Sequence, residues 1–155
     1  MICEAVVEDP RGATCRHAWD PARGSWRVYR HPHAVSPWPA NYGFLPGTWN
    51  PADGDALDAI ILATAALPTG TRLWVRPVGL LRRPDGDHKV LAVAVDDPAY
   101  ADVRWLADVP KADLAAIEAW FQEWDALGVW HDAGEAERLI RSAAARDGSP
   151  GPGAC

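Results

Sequence analysis

Asp53-Gly54-Asp55-Ala56-Leu57-Asp58-Ala59-Ile60-Ile61-Leu62 sets three carboxylates within six residues and then runs into an apolar, partly β-branched stretch. Gly54 permits a tight turn between the first two acids, and the apolar run that Asp58 begins reads as a buried strand. The acids are therefore fixed at a strand mouth. Carboxylates this close repel one another and take up protons unless a divalent ion or a cationic ligand compensates them. Oxygen donors alone suit Mg²⁺ or Mn²⁺ rather than zinc or copper. Asp-Gly-Asp by itself also reads as a solvated turn, so the third acid and the flanking sequence must decide.

Outward from this stretch, short apolar segments at 2–7, 25–29, 57–63, 71–81 and 89–95 read as strands. Turn signals separate them at Asp9-Pro10-Arg11-Gly12, Asp20-Pro21, Pro46-Gly47, Pro68-Thr69-Gly70 and Pro84-Asp85-Gly86. About five strands at this spacing predict a small barrel. Pro110 suits a first helical turn, and Leu114, Ile117, Phe121, Trp124 and Leu127 then recur at helical spacing before Gly128. Asp132 with Glu135 three residues on resembles a capping box opening a second helix to about Ala145. The expected class is mainly β with flanking helices (α+β), in one domain over 1–145. Residues 146–155, with two prolines and three glycines, are expected to form a flexible tail.

Composition narrows the function. A chain of 155 residues, 48% hydrophobic, is long enough to bury roughly two-thirds of the surface its unfolded form exposes. Fifteen Lys and Arg against 21 Asp and Glu give a net charge of −6, which disfavours a broad grip on nucleic acid or an anionic membrane. No apolar run nears the ~20 residues of a membrane span, and no basic region with an apolar core opens the chain, so a cytoplasmic protein is expected. Cys3, Cys15 and Cys155 lack metal-ligand spacing. His31-Pro32-His33 has no third ligand at zinc-site spacing and reads as a solvated loop. The nine tryptophans invite a base-stacking reading that the acidic balance opposes, so Trp120 and Trp124 are assigned to burial on or beside the apolar stripe of their helix. Trp19, Trp26, Trp74, Trp105 and Trp130 are assigned to core or subunit contacts.

Upstream of the acids lies Trp38-Pro39-Ala40-Asn41-Tyr42-Gly43-Phe44-Leu45-Pro46-Gly47-Thr48, and downstream lie Arg76-Pro77-Val78-Gly79-Leu80-Leu81, Asp87-His88-Lys89 and Asp96-Asp97-Pro98-Ala99-Tyr100. These blocks and the Asp53, Asp55, Asp58 signature resemble the soluble, Mg²⁺-dependent inorganic pyrophosphatases, as a divergent member, from about Glu4 to Leu127. The resemblance implies a five-stranded OB-like barrel with two C-terminal helices, and hydrolysis of pyrophosphate to two orthophosphates. It implies Asp53, Asp58 and Asp87 as metal ligands, with Glu4 and Asp85 as ligands of further ions. Asp55 would be the general base. Arg30 and Lys89 would contact phosphate, Tyr42 would donate a hydroxyl hydrogen bond, and Arg16 would replace a phosphate-binding lysine. Bacterial members form homo-oligomers, which is the expectation here.

The pattern also departs from the family. Ala18 stands at a usual glutamate, Trp38 and Trp124 at usual tyrosines, and Asp125 at a usual lysine. The last change reverses a charge beside an anion site. A second reading is therefore a scaffold turned to another phosphorylated ligand, or impaired in turnover, with larger substrates stacking on Trp38 or Trp124. Arg82 or Arg83 would restore the charge lost at Asp125 if either reached the cleft. His88, between Asp87 and Lys89, should turn away from the face they share.

Overall fold

The computed structural model describes residues 1–30, 36–123 and 126–144. Eight strands and two α-helices follow one another as β1 (Cys3–Asp9), β2 (Cys15–Asp20), β3 (Ser25–Arg30), β4 (Asn41–Asn50), β5 (Asp55–Leu62), β6 (Arg72–Arg82), β7 (Lys89–Ala94), α1 (Lys111–Phe121), β8 (Val129–Asp132) and α2 (Ala133–Ala143). β1, β4, β5, β7 and β6 pair in that order, and β1 pairs with β6 to close a five-stranded barrel. β8 adds to β6, and β2 with β3 forms a separate hairpin.

Alternation along β5 sends its two faces into two cores. Leu57, Ala59 and Ile61 join Ala5, Val7, Leu45, Val75, Leu80, Val90 and Ala92, with Ala136 and Ile140 of α2 packed among them. Ile60 and Leu62 join Tyr42, Leu91 and Val93 beneath Ile117, Trp120 and Phe121 of α1. Burial on both faces explains why the run carries no polar alternation. Asp58 has the parity of Ile60 and Leu62, and it pairs across a parallel ladder with Lys89, which has the parity of Leu91 and Val93. The second core therefore ends in charged side chains at its open end.

The fold class and both helices match the sequence reading, but the strand read at 25–29 lies in the separate β2–β3 hairpin while β4 takes its place in the barrel, and three strands lie outside the reading. β4 contains Gly43 and the Pro46-Gly47 turn signal, yet its ladder absorbs them with an irregularity between Leu45 and Asn50. Gly43 is required there because a Cβ would lie 1.8 Å from the Val6 carbonyl oxygen. β2 is a half-exposed hairpin arm without apolar alternation, and β8 is four residues long. The helix expected to run to Leu127 stops at Phe121, capped at Gln122, and Pro110 is its N-cap residue rather than part of its first turn. Gly128 then passes so close to Arg82 that a Cβ would meet its carbonyl oxygen at 2.3 Å. α2 begins after Asp132, whose side chain accepts from the Ala133 amide instead of making the expected capping box. Trp124, Asp125, His31, His33 and the expected tail lie outside the described residues.

Candidate active site

An open cavity of about 350 Å³ lies at the mouth of β5 and β7, lined by Glu8, Arg16, Ala18, Tyr29, Tyr42, Asp53, Asp55, Asp58, Asp87 and Lys89. The barrel supplies the acids and Lys89. The hairpin supplies Arg16, Ala18 and Tyr29, with Arg16 paired opposite Tyr29 in the β2–β3 ladder.

Asp53, Asp58 and Asp87 converge, each offering a carboxylate oxygen, and the three oxygens all lie within 4.8 Å of one another. Lys89, 1% exposed, bridges two of them, with Nζ donating to Asp58 Oδ2 at 2.6 Å and Asp87 Oδ2 at 2.8 Å. Asp87 Oδ1 is buried and takes no hydrogen bond. That atom and the all-oxygen donor set fit a hard divalent cation. Five carboxylates face two cations around the cavity, so the site carries the negative charge that an entering metal would balance.

The proton affinities follow from burial first and from this crowding second. Burial, then the charges of Asp58 and Asp87, push the Asp53 carboxyl up to about 6. Burial, then Asp58, raises Asp87. Burial, then Asp58, holds the Tyr42 phenol well above its usual value, so it remains a hydrogen-bond donor. Glu8 is pushed up to about 8, by burial and then by Asp58. A folded acid that holds its proton more tightly than the unfolded one stabilises the fold below the unfolded value and loses that contribution as pH rises through the folded value. The metal-free protein should accordingly lose thermal midpoint as pH rises from about 4.5 to about 8. Glu8→Gln should flatten this slope; an unchanged slope in calorimetry would remove Glu8 from the cause.

Asp55 stands exposed on the same wall, its Oδ1 accepting from the Ala56 amide at 2.8 Å. Tyr42 is 1% exposed and stacks on Trp38 at 4.2 Å between ring centroids. Trp38 in turn stacks on Trp120 at 3.8 Å, so both its faces are covered and a larger substrate cannot stack there. Trp120 is buried as expected. Trp19, Trp74 and Trp105 are exposed rather than core. His88 accepts through Nδ1 from the Arg83 amide and stays off the cavity.

The structure does not bring every sequence candidate to the cavity. Glu4 lies along β1 and pairs with Arg72 at 2.5 Å. Arg30 is exposed and opposite Cys15, one residue out of phase with Tyr29. Asp85 caps a turn through the Asp87 amide and lies 3.9 Å from Arg83. Neither Arg82, paired with Glu135, nor the buried Arg83 over Phe121 lines the cavity.

Sequence reasoning missed Glu8 and Tyr29. Glu8 shares strand parity with Glu4, and its place before Asp9-Pro10 at the strand end was the available signal. Its aim depends on a register shift between Val7 and Asp9, where a bulge redirects the intervening side chain.

The family model described as inorganic pyrophosphatase matches residues 5–147. A Gluconobacter oxydans protein named inorganic pyrophosphatase is 33% identical over 90% of this chain and 88% of its own length. Its namesake from Sulfolobus acidocaldarius is 31% identical over 94% of this chain and 91% of its own. The crystal structure of inorganic pyrophosphatase from Ehrlichia chaffeensis superposes with a TM-score of 0.84 at 29% identity, covering 92% of each chain.

Proposed function

The chain belongs to the inorganic pyrophosphatase family and is an inorganic pyrophosphatase, a hydrolase of pyrophosphate; from that premise we propose which of its residues perform the reaction and with which cation. The observation that carries the assignment is the convergence of Asp53, Asp58 and Asp87 beside Lys89, Arg16 and Tyr42 in one cavity. The three acids hold Mg²⁺, with Mn²⁺ as a substitute, since both take oxygen donors. Bound there, such ions neutralise phosphate oxygens and lower the pKa of a coordinated water.

The protein's own groups do the rest. Asp55, exposed on the cavity wall, accepts the proton of the attacking water. The water oxygen bonds to one phosphorus as the bridging P–O bond breaks, and two orthophosphates result. Arg16 offers a planar fork for two phosphate oxygens, Lys89 a point charge, and Tyr42 a neutral hydroxyl donor. Glu4, Arg30 and Asp85 have no part in this scheme because they do not line the cavity.

We place the enzyme in the cytoplasm, where pyrophosphate-releasing synthesis takes place, as one domain over 1–145. Assembly into homo-oligomers is supported by the large apolar side chains left exposed at Ile2, Trp74, Trp105 and Val129.

Phosphate release from pyrophosphate with Mg²⁺ or Mn²⁺, against nucleoside triphosphates and sugar phosphates as comparison substrates, tests this. Release should require the divalent ion, stop on chelation, and favour pyrophosphate over both comparison substrates. Equal turnover of either would contradict the substrate assignment, and activity surviving chelation would contradict the metal.

A further inference from the structure

At the root of the β2–β3 hairpin lies a cluster that the reaction scheme leaves unused. Asp9 closes β1 and is fully buried. Its Oδ1 accepts from the His17 amide at 2.6 Å and lies 2.9 Å from His17 Nδ1. Its Oδ2 lies 3.2 Å from Arg16 Nε, close enough for an ion pair though the N–H is not aligned for a hydrogen bond. Burial raises the Asp9 carboxyl above its ordinary range, and Arg16, then His17, pull against that rise. A carboxylate buried this deeply is costly unless paired, so Asp9 and Arg16 constrain each other.

Arg16 connects this cluster to the cavity. Its guanidinium carbon lies 5.3 Å from the Trp38 ring centroid and 5.1 Å from that of Tyr42, and the residue lines the cavity wall. We propose that Asp9, seated by His17, is a positioning residue that holds the Arg16 guanidinium against the Trp38–Tyr42 wall with its terminal amino groups free for phosphate. The inference rests on the reading of Arg16 as a substrate-binding residue.

Three physical points support it. The closest contact of the ion pair is through Nε, so Asp9 does not compete for the two nitrogens that a phosphate would take. A guanidinium acts through the orientation of its fork, whereas an ammonium acts as a point charge, so arginine gains more from being held than the family's usual lysine would. Glu8, Asp55 and Asp58 also face the same cavity, and an untethered arginine would be drawn toward them instead of the incoming anion.

Steady-state kinetics on Asp9→Asn, Arg16→Ala and the double variant, with thermal midpoints, test this. Losing one charge-assisted phosphate contact in Arg16→Ala should raise KM for pyrophosphate about thirtyfold, and misplacing it in Asp9→Asn about tenfold with kcat within about twofold. The double variant should have the KM of Arg16→Ala alone, because a tether has nothing to hold once its cargo is gone. KM effects that multiply in the double variant would overturn the tether while leaving Arg16 as a phosphate contact. An unchanged KM in Arg16→Ala would overturn the reading beneath it. If Asp9→Asn fails to fold, His17→Ala serves in its place, since it keeps the amide donor to Asp9 and removes the ring. It should raise KM about threefold in the native background and not at all beside Arg16→Ala, and a multiplying effect again overturns the tether.

Discussion

Asp55→Asn lowers kcat for pyrophosphate hydrolysis by about a thousandfold, within the range that a positioned general base supplies. KM and thermal midpoint stay near those of the unaltered enzyme, because asparagine has the same shape and keeps an oxygen for the Ala56 amide that Asp55 accepts from. Single-turnover phosphate release measured on both proteins checks this. A loss smaller than about tenfold would move the base role to another carboxylate on the same wall. Glu8 lines that wall as well, and a base role there would carry the pH–rate profile up toward about 8, where its carboxyl gives up its proton.

Lys89→Met acts on stability and activity together. The ammonium is nearly inaccessible and bridges Asp58 and Asp87, so its removal leaves two carboxylates facing each other without compensation. Breaking a buried ion pair from one side costs about 3–5 kcal/mol, and the partial exposure of both acids places this case at the lower end. The metal-free variant should therefore melt well below the unaltered protein. Added Mg²⁺ should restore much of the difference, since a cation between the acids replaces the lost charge. Catalytic efficiency should still fall by about a hundredfold, the loss expected when a charged hydrogen-bond donor to phosphate disappears. Calorimetry with and without Mg²⁺ separates the two effects, and a midpoint that Mg²⁺ leaves unchanged would contradict the shared site.

The apolar run after Asp58, the turn signals and the helical stripe of Ile117 and Phe121 each reflect one-dimensional periodicity, which is why the barrel strands and α1 were legible in the sequence. β4 was not, because Gly43 and Pro46 look like breakers until the close approach to Val6 and the irregular ladder are known. Asp53, Asp58 and Asp87 were legible as a resemblance, and the structure brings them together. Glu8 was hidden because a register shift in β1, invisible in a strict two-residue alternation, decides which acid of that strand reaches the cavity. Arg30 and Tyr29 show the same sensitivity, since one step along β3 exchanges the face presented.

The β5–β7 ladder is the one parallel pairing among the described strands, and it sets Asp58 against Lys89 across 31 positions of chain. No hairpin forms that pairing; β6 must first traverse the barrel and return. Local segments can therefore fold without creating the site, and the entropy of closing that long loop is met before any carboxylate gains its partner. A molecule that holds only its native-like hairpins thus lacks the Asp58–Lys89 pairing, and with it one side of the proposed site.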